Sequence, residues 1–425
     1  MNYKPVTVWF ILCLMIVQIG LVSAQTNTSN SLNQYSFDLY SQMKVEKKNL
    51  FISPLSTYYA LLMAYEGSKD ETKSEFEKAL YLGSSNSMKN DFLHDLVGKS
   101  DSSFDVSNAI WVDKSLQVNA GYTKNVTNKY LSDFRQTEFA NTQTAVNDIN
   151  QWIAEKTRHR INKIVDNSSV DSTTQILITN AVYFKGMWLN KFEKYKTGSE
   201  LFSASSENQS LIAFMNITEQ LQYFENDEYQ FISKPYKSSD MSFCIILPKK
   251  QFGIENIEKK MNADFFDNIL NNTSLTKTWI IIPKFKLEFS YQLSGALENL
   301  GLKSAFSDKA NFSGMAKNNN LVLGQVIHKT SIEMDEEKTV AAAATAIDIR
   351  IRGISSNKIF KADHPFVFFI IDNQTRAIIF MGRFADPIDG VKCEDNEIIS
   401  TDKMRTLMNT SVEDLLKGRT PPSNK

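Results

Sequence analysis

The sequence predicts an α+β fold in one large domain, and three features of the 425-residue chain carry that reading. Helix signatures gather in the N-terminal half, short apolar runs of strand type gather in the C-terminal half, and no linker interrupts the chain before Pro387. Lys plus Arg (47) nearly cancel Asp plus Glu (48), so there is no basic excess to attract nucleic acid and no acidic block to favour disorder. With 42% hydrophobic residues, among them 28 Phe, the chain can bury a substantial core.

Residues 1–24 come first. Lys4 opens a short basic start, a mostly apolar run follows from Val6 to Val22, and Val22-Ser23-Ala24 fits a small-residue cleavage site. This pattern predicts a secretory signal peptide; the alternative, a membrane anchor of about spanning length, is disfavoured by the small residues at its end. The expected product is a secreted, extracellular monomer starting at Gln25, with no membrane association. Of three cysteines, Cys13 leaves with the signal, Cys244 sits in the apolar run Ser242 to Leu247 as a buried thiol, and Cys393 lies in a polar tail. No disulfide framework is expected, although one bridge or an intermolecular pairing through Cys393 stays open. Candidate glycosylation sequons stand at Asn27, Asn125, Asn167, Asn208, Asn216, Asn271, Asn272, Asn311, Asn373 and Asn409; Asn271 and Asn272 overlap.

Ser53 before Pro54 marks a helix start, a side-chain oxygen to cap free N–H groups and then a ring that presets the first helical position; this helix runs to Gly67. The next opens with the capping-box pattern Ser68-x-x-Glu71, carries Phe76, Leu80 and Tyr81 at helical spacing, and stops near Gly83. Val146, Ile149, Trp152 and Ile153 share one side of a third, amphipathic helix. Strands are read at Ile176 to Phe184, Ser242 to Leu247, Thr278 to Ile282, Phe366 to Ile371 and Ala377 to Met381, the last two forming a buried hairpin across Asp372 to Arg376. Residues 388–425 turn polar and charged, and a mobile tail is expected there, with a partner-binding segment as the alternative.

No Gly-x-Ser-x-Gly elbow, Gly-rich phosphate loop or His-Glu-x-x-His helix occurs, and the four histidines are scattered. The chain is therefore not expected to be an enzyme, nor to hold a metal or cofactor, and no helix face is basic enough to indicate polyanion binding. The informative stretch is Glu336 to Gly353. In its first half Thr339, Ala341, Ala343 and Thr345 are small at every second position, so an extended segment would present a face free of bulk. Its consecutive alanines are equally good helix formers, and the residues alone leave both conformations open. Ile347, Ile349 and Ile351 then alternate with Asp348, Arg350 and Arg352, an extended pattern.

Glu336-Glu337-Lys338-Thr339-Val340-Ala341-Ala342-Ala343-Ala344-Thr345 resembles the hinge of the reactive-centre loop in the serpin family of protease inhibitors. Asn49-Leu-Phe-Ile-Ser53-Pro54-Leu-Ser56, Asn180 to Trp188, Val326-Ile-His328-Lys, Asp363-His364-Pro365-Phe366 and Phe380-Met-Gly-Arg383 resemble the family's other signature segments, in the right order, over roughly residues 28 to 387. The resemblance implies a single domain, residues 25–387, of three β-sheets and about nine helices, with an exposed loop at about 336–358. It also implies a suicide-substrate mechanism, in which a protease serine attacks the bait residue and the cleaved loop inserts into the main sheet before deacylation.

Family spacing makes Arg352 the bait, with cleavage before Gly353; a slip of two would select Arg350, so a trypsin-like serine protease is the expected partner in either case. Lys338 and Val340 stand where the family commonly has Gly and Glu, which bears on the speed of insertion. Ser53, Ser56, Asn180 and His328 fall where serpins have a hydrogen-bonded cluster under the opening sheet. Trp188, Lys284 and Glu336 fall where the loop first enters, and a Glu336 to Lys284 pair would hold the sheet top shut. The competing function is a serpin fold used as carrier, storage protein or chaperone; such members tend to carry bulky or charged residues in the inserting half, whereas the inward set here is small. N-terminal sequencing of secreted material should begin at Gln25, and an intact Met1 on membrane-bound protein would overturn the signal-peptide reading.

Overall fold

The computed structural model describes residues 30–83, 104–130, 132–237, 240–317, 321–336 and 357–387, and the backbone of 399–400. In chain order the first elements are α1 (30–43), β1 (Leu50–Ile52), α2 (Pro54–Gly67), α3 (Asp70–Ala79), β2 (Phe104–Asp113), α4 (Ala120–Lys129), β3 (Ser132–Thr137) and α5 (Thr142–Lys156). Then come β4 (Ile176–Phe184), β5 (Gly198–Ser203), β6 (Gln209–Glu225), β7 (Tyr229–Pro235), β8 (Met241–Pro248), α6 (Ile254–Glu258) and α7 (Ala263–Asn271). The chain continues through β9 (Ser274–Pro283), β10 (Phe285–Gln292), α8 (Ser294–Asn299), β11 (Leu323–Met334), β12 (Lys358–Lys361), β13 (Phe366–Asp372), β14 (Ile378–Phe384) and β15 (Ile399–Ser400).

The α+β class stands, but strands are not confined to the C-terminal half, since β1 to β4 precede residue 185. Two strand networks form among the described residues. A five-stranded sheet runs β10-β11-β4-β2-β3, and a ten-stranded one runs β1-β14-β13-β8-β7-β6-β9-β12 with β5 and β15 also on β6. The larger network joins two smaller sheets, because the 17-residue β6 pairs β5 and β9 along most of its length and then turns its last residues, Gln222–Glu225, to β7. That continuity is why the three sheets implied by the resemblance appear as two connected networks.

The expected hairpin is present: β13 and β14 pair antiparallel, with Phe366 opposite Phe384 and Phe369 opposite Met381, and every residue of both strands is buried. Strands apolar on both faces need cover on both, and here the five-stranded sheet and α2 lie on one side. α2 packs on β2, β4 and β14 and is buried at every position but Glu66, with Ser53 capping it as its hydroxyl accepts from Ser56 N at 3.3 Å. α5 likewise buries Val146, Ile149, Trp152 and Ile153 on one face.

The capping box at Ser68 does not form. Ser68 instead closes α2, its N–H and hydroxyl both donating to Tyr65 O at 3.0 and 2.7 Å, and α3 begins at Asp70 without a side-chain cap. That helix also ends earlier than expected, at Ala79, because Tyr81 takes φ 54° in the left-handed region and leaves the helical path.

Gly382 on β14 has no room for a side chain. A Cβ there would lie 2.3 Å from the Phe368 ring and 2.7 Å from Leu50 O, in a layer where Phe51 stacks on Phe368 and on Phe380. Because one obstacle is backbone, the clash cannot be relieved by a rotamer change. Gly382→Ala should lower stability by about 2–3 kcal/mol, seen as a lower urea midpoint; an unchanged midpoint would show that this layer can give.

Candidate functional site

The central strand of the five-stranded sheet, β4, runs parallel to its neighbour β11 and pairs with it directly, with His328 opposite Asn180. The register continues on both sides, since Asn108 of β2 lies opposite Asn180 and Tyr291 of β10 lies opposite His328. Polar residues on four adjacent strands thus form one transverse row. Asn108, Asn180 and His328 are buried, and beneath them sits the N-terminus of α2 with Ser53 and Ser56.

The hydrogen bonds of this row follow from what each group can do. His328 Nε2 lies 3.0 Å from Ser53 N, and a backbone N–H can only donate, so Nε2 is the unprotonated nitrogen and Nδ1–H donates to Asn180 Oδ1. Asn180 then uses its amide to donate to Ser56 Oγ and to Asn108 Oδ1. Ser53 Oγ donates to Ile379 O at 2.9 Å and ties the cluster to β14. Asn108 Nδ2 is buried without a hydrogen-bond partner among the described residues, so the network is nearly but not fully satisfied. Each buried bond adds about 1 kcal/mol, and leaving a partner stranded costs about 1–3 kcal/mol, which makes the cluster sensitive to any separation of β4 from β11.

The end of the seam nearest Glu336 is fastened differently. Trp188, just past β4, donates Nε1 to Asp335 O at 2.9 Å, just past β11. Lys185 pairs with Glu333 at 2.8 Å and Asp335 at 3.0 Å. Glu336 is buried, accepts from Thr197 Oγ1 at 2.6 Å and lies 3.5 Å from Lys284 Nζ. The structure therefore brings together Ser53, Ser56, Asn180 and His328 in one cluster, and places Trp188, Lys284 and Glu336 together at the seam's end. Glu337 to Thr345, Arg350, Arg352 and Gly353 lie outside the described residues, as do Cys13, Cys393, Asn27 and Asn409.

Sequence reading missed Asn108, Tyr291 and Thr197. Asn108 carried a signal, a lone amide between Ser107 and Ala109 in the strand run Phe104–Asp113; Thr197 carried none. Cys244 is buried and free, and burial pushes its thiol up to about 12. Among the sequons, Asn125, Asn167, Asn271, Asn272 and Asn373 are exposed, while Asn208, Asn216 and Asn311 are half-buried with their amides donating to Asp386 Oδ2, Lys196 O and Asp70 Oδ2.

Burial holds the His328 imidazole far below its ordinary value near 6.5, down to about 3, with the Asn180 contact opposing only part of that effect. Its native pKa is depressed, so the unfolded chain takes up a proton below pH 6.5 that the native protein refuses. The stability present above pH 6.5 is lost as pH falls toward 3, by at most about 1.4 kcal/mol per pH unit for this group. Stability measured from pH 7.5 to 4 should fall more steeply in the parent than in His328→Gln; equal slopes would show that His328 is not the group responsible.

A family model described as serpin (serine protease inhibitor) matches residues 30–387. The chain is 37% identical over 371 residues to an uncharacterized serpin-like protein of Thermococcus kodakarensis, covering 85% of this chain and 86% of that one. It is 32% identical over 376 residues to a leukocyte elastase inhibitor of Xenopus laevis, covering 85% of this chain and 100% of the relative. Among solved structures it resembles maspin, with a TM-score of 0.78 and 28% identity over 86% of this chain and 100% of that one. Uncleaved ovalbumin matches with a TM-score of 0.77 and 25% identity over 84% and 99%. With the family model matching residues 30–387 of the 425, the chain belongs to the serpins, a family of serine protease inhibitors.

Proposed function

We propose that this protein is a secreted suicide-substrate inhibitor of a trypsin-like serine protease, with Arg352 as bait and the seam between β4 and β11 as the slot that receives the cleaved loop. The observation that carries the reading is the direction of the strands. β4 and β11 are parallel, and the segment that follows β11 must reverse direction to enter between them, so it would run antiparallel to both. One parallel interface, the less stable kind per residue, would be exchanged for two antiparallel ones. Insertion thus adds a full set of backbone hydrogen bonds and buried side chains to an already folded domain.

The hinge residues suit that path. Thr339, Ala341, Ala343 and Thr345 would face the side occupied by Asn180, His328 and α2, which is lined by buried residues. Lys338 and Val340 would face the other way, and the same small inward set weighs against the carrier, storage or chaperone reading. The bait carbonyl is attacked by the protease serine to give an acyl-enzyme, the amine of Gly353 leaves, and the loop carries the bound protease with it as it enters the sheet before water can release it.

Mixed with trypsin, the secreted protein should give a covalent band that survives SDS, and Arg352→Ala should lose it while remaining folded. If that variant traps trypsin as well as the parent, and Arg350→Ala does too, the bait assignment is wrong. Thr339→Arg would drive an unpaired charge against the buried side of the sheet. It should be cut at the same bond yet release active protease; undiminished trapping would contradict the inward placement of Thr339.

A further inference from the structure

Lys234, the penultimate residue of strand β7, is a lysine with only 1% of its side chain exposed. Its Nζ donates to Asn190 O at 2.8 Å and to Glu219 Oε1 of β6, and it lies over the rings of Trp188 and Phe192, 5.3 and 4.9 Å from their centres. Glu219, 7% exposed, uses its other oxygen to accept from Asn190 Nδ2 at 2.7 Å. An ion pair this buried is no more stabilising than apolar side chains of the same volume, so packing alone does not account for it. What it does do is geometric. Both charges belong to the larger strand network, and both grip residues 188–192 just beyond β4.

That segment is also bound to the same network by backbone, Leu189 N donating to Pro235 O at 3.1 Å and Lys237 N to Met187 O at 2.7 Å. Tyr236 stacks on the Trp188 indole at 4.7 Å. With the ring of Tyr236 stacked on it and the ammonium of Lys234 over it, the indole has little freedom to turn, and its Nε1 donates to Asp335 O. Trp188 therefore belongs to the larger network and reaches across to the end of β11. When β4 and β11 part at this end, that reach must be given up.

We propose that the Lys234–Glu219 pair is a positioning device that fixes Trp188 against the end of β11 and so sets how fast the seam opens where the loop enters. The proposal rests on the reading that the cleaved loop inserts between β4 and β11. Without the cation, the indole loses a desolvated cation–π contact and turns away from Asp335 more often. The seam then opens faster.

The test uses a synthetic peptide of this chain's residues 337–350, added to the intact protein, with uptake followed by native gel mobility at an equal interval below each variant's own melting temperature. Lys234→Met/Glu219→Gln, nearly isosteric and neutral, should take up the peptide roughly tenfold faster than the parent, which corresponds to about 1.4 kcal/mol in the barrier. Trp188→Phe, which lacks the Nε1 donor, should show a similar acceleration. Because the pair acts through Trp188, the combined variant should be no faster than either alone. Uptake at the parent's rate in Lys234→Met/Glu219→Gln, or accelerations that add in the combined variant, would overturn the proposal. A parent that neither takes up peptide nor traps trypsin would instead remove the insertion reading and this proposal with it.

Discussion

The direct parallel pairing of β4 with β11 is the constraint on which the rest of this structure depends. These strands lie more than a hundred residues apart in sequence, and each has an antiparallel neighbour on its other side, β2 on β4 and β10 on β11. The sheet has two parallel interfaces, β2 with β3 at its edge and β4 with β11 inside it, and the inner one lies between two antiparallel ones, the slightly more stable kind. The buried cluster of Ser53, Ser56, Asn180 and His328 and the contacts of Trp188 and Glu336 all lie along this interface. Under the proposed insertion, the stabilisation still to be gained lies in the twenty residues, 337–356, between Glu336 and the next described residue.

Two different kinds of fastening close the seam. In the middle a buried polar row from Asn108 through Asn180 to His328, anchored on Ser53 and Ser56, is cooperative and sensitive to geometry: a shift of one strand strands several buried groups at once. At the end nearest Glu336 the contacts are longer-reaching side chains, Trp188 to Asp335 O, Lys185 to Glu333 and Asp335, and Glu336 to Thr197 and Lys284. The half-exposed ion pairs contribute little individually. Under the proposed insertion the end would yield before the middle, the order an entering strand requires.

Much of this was legible in the sequence, for physical reasons that can be named. Ser53-Pro54 is a local signal and fixed the start of α2; the apolar runs of β13 and β14 are long enough to be unambiguous. Ser68 misled because a serine between two helices can cap either one, and only the closing bonds to Tyr65 O decide which. The role of Ser53, Ser56, Asn180 and His328 was reached through family resemblance rather than through the residues, since a cluster drawn from α2, β4 and β11 has no spacing rule. Asn108 joins it only through strand register. Lys234 was invisible for a plainer reason, because a lysine between Ser233 and Pro235 reads as a surface charge until Glu219, Asn190 and two aromatic rings are found around it.

The central claim is that the closed seam is not the most stable arrangement of this chain. Thermal melting of the intact protein against the same protein nicked once at Arg352–Gly353 tests it most directly. If the freed segment from Thr339 onward enters between β4 and β11, the nicked protein should melt at a sharply higher temperature, because a cut that normally loosens a fold has here completed a sheet. A nicked protein that melts no higher than the intact one would contradict the account and leave a serpin fold that closes its sheet without loop insertion.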